Sequence, residues 1–126
     1  MPIERRAWVT RKMLRAEPDT LFVFGDNIIR TGFGGQAREM RGEPNAVGLP
    51  TKKTPSEFLK DDDLALVRGA NLKAIDRLSE HLRQDKLVVW PLAGIGTGLA
   101  ELDKRAPAIA AYYEDVLEML KGCHVN

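Results

Sequence analysis

Cysteine is nearly absent from this 126-residue chain. Cys123 stands alone, which excludes a disulfide framework and any CxxC metal or redox motif. Histidine is almost as scarce, with only His81 and His124, so a histidine-based zinc site is not expected and no metal or other cofactor is assigned. No run of residues approaches the ~20 apolar positions of a membrane span, and the charged N-terminal stretch lacks the apolar core of a secretion signal. A cytoplasmic protein with no membrane partner is the expectation. An excess of one charge is missing too: 19 Lys and Arg against 18 Asp and Glu leave +1, so no overall field draws the chain to nucleic acid or an anionic surface. No GxxxxGK[ST] motif occurs, which argues against an ordinary P-loop NTPase. Any catalysis must rest on carboxylates, amides, hydroxyls and backbone.

Glycine, in contrast, is concentrated in two loops, each directly after a short apolar run that reads as a buried strand. Leu21 to Phe24 runs into Gly25-Asp26-Asn27 and on to Gly32-Phe33-Gly34-Gly35; Leu87 to Trp90 runs into Gly94-Ile95-Gly96-Thr97-Gly98-Leu99. Glycines after a strand let the backbone approach a ligand and turn several N–H groups toward one point, which holds phosphate without cationic side chains. In open α/β sheets ligands bind outside the carboxyl ends of the strands. If the two strands are neighbours, both loops share one rim and make one cleft.

The rest of the chain supports such a sheet. The length suits one domain, residues 1–126, and 44% hydrophobic with 29% charged residues is ordinary for a globular protein. A short strand is expected near Ala7 to Val9, then a helix capped by Thr10 and closing before Pro18. Gln36 to Arg41 reads as one or two helical turns, broken by Gly42-Glu43-Pro44-Asn45, and Ala46 to Pro50 as a third strand. Thr54-Pro55-Ser56-Glu57 matches a capping box and predicts a short helix over Pro55 to Leu59. Leu64, Val67, Ile75, Leu78 and Leu82 mark the longest helix, with Asn71 in its apolar stripe as a buried amide bonded to a neighbouring loop backbone, ahead of a ligand-contacting role. A terminal helix from Asp103 carries Pro107 near its start and Gly122 at its stop. Strands separated by helices predict a single three-layer α/β domain with a mostly parallel central sheet flanked by helices.

Several residues carry the candidate chemistry. The second loop has Leu99 where a dinucleotide fingerprint needs its third glycine, so a Rossmann cofactor site is not expected. Asp26 and Asn27, held at a strand end, suit a ribose diol, an adenine amino group or an attacking water, or simply an Asx turn. Lys52 brings a cation to the same rim, or is merely solvated. Gly96→Val is expected to fill the space for phosphate and abolish binding in a folded protein. Trp90 is expected in the core.

Phe24-Gly25-Asp26-Asn27 with Gly32-Phe33-Gly34-Gly35 resembles the first strand, asparagine and glycine loop of macro domains. Val89-Trp90-Pro91-Leu92-Ala93-Gly94-Ile95-Gly96-Thr97-Gly98-Leu99 resembles their second phosphate loop. The chain is also similar to small phage and bacterial proteins carrying the same FGDN and GIGTG elements. The resemblance implies a macro-domain-like fold that binds ADP-ribose or a related phosphorylated nucleoside. Gly25, Gly32, Gly34, Gly35, Lys52 and the loop from Gly94 to Leu99 would then be ligand-binding. It further implies removal of ADP-ribose, with Asn27 and Asp26 as the catalytic pair that places a water. Two rival readings remain at this point: a nucleic-acid-binding accessory protein using Arg5, Arg6, Arg11, Lys12, Arg15, Lys52 and Lys53, and a non-catalytic interaction protein whose cleft is filled by side chains.

Overall fold

The computed structural model describes residues 2–123; His124 lies outside them. Five strands form one sheet in the order β1-β5-β2-β3-β4. They are β1 (Ile3–Arg6), β2 (Leu21–Asn27), β3 (Ala46–Thr54), β4 (Glu57–Phe58) and β5 (Val88–Pro91). β1 pairs with β5, β5 with β2 and β2 with β3, all parallel, while β4 is an antiparallel edge. The expected α/β architecture with a mostly parallel sheet is therefore present.

The two faces of the sheet bury different side chains, as alternation along a strand requires. Phe22, Phe24 and Val89 pack on one face with Leu14 of α1 (Arg11–Ala16) and with Ala37 and Met40 of α2 (Ala37–Met40). Leu21, Val23, Val88 and Trp90 pack on the other with α3 (Leu64–Ala70), α4 (Leu72–Arg83), α5 (Leu102–Arg105) and α6 (Pro107–Lys121). The result is three layers. Trp90 is in the core as expected.

Four sequence expectations need correction. The first strand is Ile3–Arg6 rather than Ala7 to Val9. Its neighbour β5 ends at Pro91 opposite Arg6, and the backbone of Val9 is taken instead by the Gln36 amide, which accepts from its N–H at 2.7 Å and donates to its carbonyl at 2.8 Å. No helix forms over Pro55 to Leu59; β3 runs on through Thr54 and turns back as β4. The Thr54 hydroxyl does accept from the Ser56 N–H at 3.2 Å, but it closes a hairpin turn, because a Thr-x-x-Glu pattern serves a tight turn as well as a cap.

The long helix is interrupted at Asn71, whose N–H is shared between the carbonyls of Val67 and Arg68. Gly69 and Asn71 are both poor helix formers, and the stripe stays in phase across the break. Asn71 is fully buried, yet its partners are the Tyr113 and Tyr112 hydroxyls at 3.0 and 3.3 Å, not a loop backbone. The terminal helix starts at Leu102, breaks at Ala106 and restarts on Pro107, where the missing proline N–H costs nothing. Gly122 caps its end as expected.

Candidate functional site

β2 and β5 are adjacent, but their pairing covers only Leu21 opposite Val88 and Phe22 opposite Val89. Beyond that point both strands continue without a shared ladder, to Asn27 and Pro91. The chain after β2 crosses to the face carrying α2, and the chain after β5 crosses to the face carrying α5 and α6. Neighbouring strands whose connections leave to opposite faces open a crevice between them.

That crevice is a cavity of about 330 Å³, open rather than plugged. Its lining includes Gly25, Asp26, Asn27, Gly32, Gly34, Gly35 and Lys52 from the β2 and β3 ends. From the β5 end come Gly94, Gly96, Thr97, Gly98 and Leu99. The structure thus brings together every singled-out residue except Ile95. The Ile95 side chain is buried in the core on the α5 and α6 side, turned away from the crevice. The two loops face each other across the gap, where a Cβ placed on Gly34 would lie 4.0 Å from Leu99 Cδ1.

Gly32, Gly35, Gly94 and Gly96 all have positive φ, between 57° and 91°. Side-chain-bearing residues resist that conformation, and it turns successive N–H groups to the same side as an anion-binding nest. The hydrogen bonds agree with such a nest. Among the described residues, the N–H groups of residues 32–36 and 95–100 donate to no protein acceptor. Eleven free backbone donors, nine of them on residues that line the cavity, are the main chemical property of the site.

Gly96 has a second role that its sequence context hides. A Cβ there would come within 2.2 Å of Leu102 Cδ1, a core side chain, so Gly96 lets the loop lie on α5 rather than leaving space for ligand. The expectation that Gly96→Val acts by filling a phosphate subsite, in a folded if weakened protein, is therefore corrected: it would strike the core. Gly98 is the open position, with nothing within 4 Å of an added Cβ.

Asp26 and Asn27 serve the first loop directly. The Asn27 side chain donates to the Thr31 carbonyl at 2.7 Å and accepts from the Thr31 N–H at 3.3 Å, which pins residues 28–31 into a turn. Asp26, with a side chain 3% exposed, accepts the Asn27 N–H at 2.8 Å and meets two guanidinium groups, those of Arg41 and Arg30. Its oxygens are fully engaged. The Arg41 guanidinium also donates to the carbonyls of Gly32 at 2.6 Å and Thr31 at 3.2 Å, so the ion pair locks the glycine loop at the cavity wall. Sequence reasoning missed Arg41, which lies 15 residues from Asp26 at the end of α2. The signal available was a buried-strand aspartate that needs a cationic partner.

Lys52 lines the cavity, while its ammonium donates to the Pro55 carbonyl at 2.6 Å and sits 4.7 Å from the Phe58 ring centroid. Thr51 donates to the Asp26 carbonyl at 3.1 Å and fixes the strand ends together. Tyr113 reaches from α6 to the Pro50 carbonyl, and burial pushes its hydroxyl well above the usual phenol range. Among the described residues no group of His, Cys, Asp and Glu is arranged to hold a metal ion, and no helix is long and apolar enough to cross a membrane.

Residues 4–116 match a family of unknown function (DUF7831), and the chain belongs to that family. No curated protein and no solved structure matches it.

Proposed function

We propose that this member of the DUF7831 family binds ADP-ribose or a related phosphorylated nucleoside in the crevice between β2 and β5, as a macro-domain-like module. One observation carries the reading: two runs of unpartnered N–H groups, at residues 32–36 and 95–100, surround a single open cavity. Unsatisfied amide donors in a half-open hollow favour an acceptor-rich anion, and a diphosphate offers acceptors to both loops at once. The volume of about 330 Å³ sits at the small end of the ligand-pocket range of about 300–1,000 Å³, with room for a nucleotide that leaves part of itself at the open mouth.

The same geometry favours binding over turnover. Asp26 holds two arginines and the Asn27 N–H, so its oxygens are not free to accept from a water, and Asn27 spends its oxygen and one of its two amide N–H groups on the Thr31 backbone. Hydrolysis of an ADP-ribosyl linkage would require the Asp26 pair or the Asn27 turn to open first.

Thermal unfolding in the presence of ADP-ribose, NAD, ADP and GDP tests the proposal. A ligand at about 100 times its Kd stabilises the folded state by about 2.7 kcal/mol, a clear rise in Tm. ADP-ribose should raise Tm in a saturable way. A transition unmoved by all four compounds would remove the nucleotide reading.

A further inference from the structure

The cleft mouth combines two properties that the small-ligand reading does not use. The first is charge. Residues 5–15, 28–38, 51–56 and 91–100 contain nine Lys and Arg and no Asp or Glu. Each of these segments includes the chain just beyond β1, β2, β3 or β5, and parallel strands place those ends on one edge of the sheet. Several of the cations are paired with carboxylates from elsewhere, including Arg6 with Glu17 and Arg11 with Glu43. Arg5, Lys12, Arg38 and Lys52 meet no carboxylate among the described residues. The near-neutral total thus conceals a cationic rim.

The second property is exposed apolar surface on the same edge. Trp8 is 48% exposed, Phe33 65% and Leu99 73%, with Ile29 and Leu92 also exposed. Trp8 is brought toward the glycine loop because the Gln36 amide clips the adjacent Val9 backbone, and Phe33 lies three residues before Gln36. Leu92 is tied to the β1 end through its N–H to the Arg6 carbonyl at 2.9 Å. Neither Trp8 nor Phe33 lines the cavity; both stand outside it.

We propose that this rim is a docking surface for single-stranded nucleic acid, so that the phosphorylated group entering the crevice arrives on a polynucleotide. Aromatic rings exposed among cations are what an unpaired strand needs: bases stack on the rings while phosphates meet Lys and Arg. Duplex DNA offers no unstacked base to Trp8 or Phe33, and Arg5, Lys12, Arg38 and Lys52, left without carboxylate partners beside exposed rings, complement a polyanion with exposed bases better than a protein surface of mixed charge. The proposal depends on the nucleotide reading only for what the strand delivers into the crevice.

The test uses unmodified 12-nucleotide oligo(dT) and oligo(U), the intrinsic fluorescence of the full chain, and anisotropy of end-labelled strands. Trp90 is 1% exposed, so quenching on strand binding reports Trp8. We expect saturable quenching by both single strands, weaker binding to a 12-base-pair duplex, and a log Kd dependence on log salt equivalent to about three released ions for four phosphate contacts. Trp8→Ala should weaken strand binding, read by anisotropy, about tenfold or more and leave the Tm rise with ADP-ribose intact. Retained strand affinity in that variant, equal affinity for duplex, or no binding of any strand would overturn the proposal. Self-association abolished by the same variant, without strand binding, would overturn it too, by making the rim a contact between copies. Because the strands carry no ADP-ribose, strand binding without an ADP-ribose response leaves the docking surface standing and removes the crevice reading; the reverse result removes only the docking surface.

Discussion

Gly96 and Gly98, two residues apart in one loop, should respond oppositely to the same change. At Gly96 a methyl group meets Leu102 Cδ1 at 2.2 Å and Cγ at 2.6 Å, on a backbone with φ of +81°. The left-handed conformation costs an L-residue about 1 kcal/mol, and forcing extra volume into a packed core costs about 1–3 more. Gly96→Ala should therefore destabilise by about 2–4 kcal/mol, or roughly 8–16 °C in Tm at about 4 °C per kcal/mol for a domain of this size. At Gly98 the added methyl meets nothing within 4 Å and φ lies outside the positive region. Gly98→Ala should stay within about 0.5 kcal/mol of the parent. Gly98→Leu should also stay folded while placing a branched side chain at the cavity, removing most of the Tm rise with ADP-ribose. Differential scanning fluorimetry of the three variants, with and without ADP-ribose, reads all of this. A stable Gly96→Ala, or a Gly98→Leu that binds as well as the parent, would refute the assignment of one glycine to packing and the other to the site.

Two further outcomes follow from the buried polar groups. Asp26→Asn leaves Arg41 and Arg30 facing an amide in place of a charge and should cost about 3 kcal/mol in urea unfolding, since breaking one side of a buried pair strands the other; a loss below about 0.5 kcal/mol would contradict the role of that pair in holding the loop. His81 packs beside Leu87, and burial lowers its pKa, so the unfolded chain binds the extra proton first and stability falls as pH drops from the ordinary histidine value through the folded one. His81→Gln should flatten that part of the stability profile, leaving a lower step below the ordinary carboxylate range, where Glu17 and Glu43, held down by Arg6 and by Arg15 and Arg11, become protonated.

Much of the site was legible because the information is local. Apolar runs bounded by glycine mark the strands that turn out to be β2 and β5, and the glycine loops follow them without interruption. Their adjacency is not written in either run, and the sheet order supplies it. What the sequence did not display was long-range pairing. Nothing around Arg41 announces Asp26, and nothing in Gly94 to Gly98 separates the glycine that rests on Leu102 from the one that is open. The same limit explains the misplaced helix at Pro55. A Thr-x-x-Glu motif is satisfied by local hydrogen bonds in either a helix cap or a hairpin, and the choice is made by β3, whose backbone extends far enough to pair with β4. The first strand escaped notice for a related reason. An edge strand needs no apolar face, so Ile3–Arg6 reads as a polar segment until β5 is placed beside it.

Amide chemical-shift mapping during titration with ADP-ribose tests the central claim most directly, since it reports the free N–H donors themselves. The largest shifts should fall in two separate groups, at residues 32–36 and 95–100, saturating together with a single Kd. A titration that moves only one of the two loops, or whose shifts cluster elsewhere on the chain, would contradict a ligand held between them.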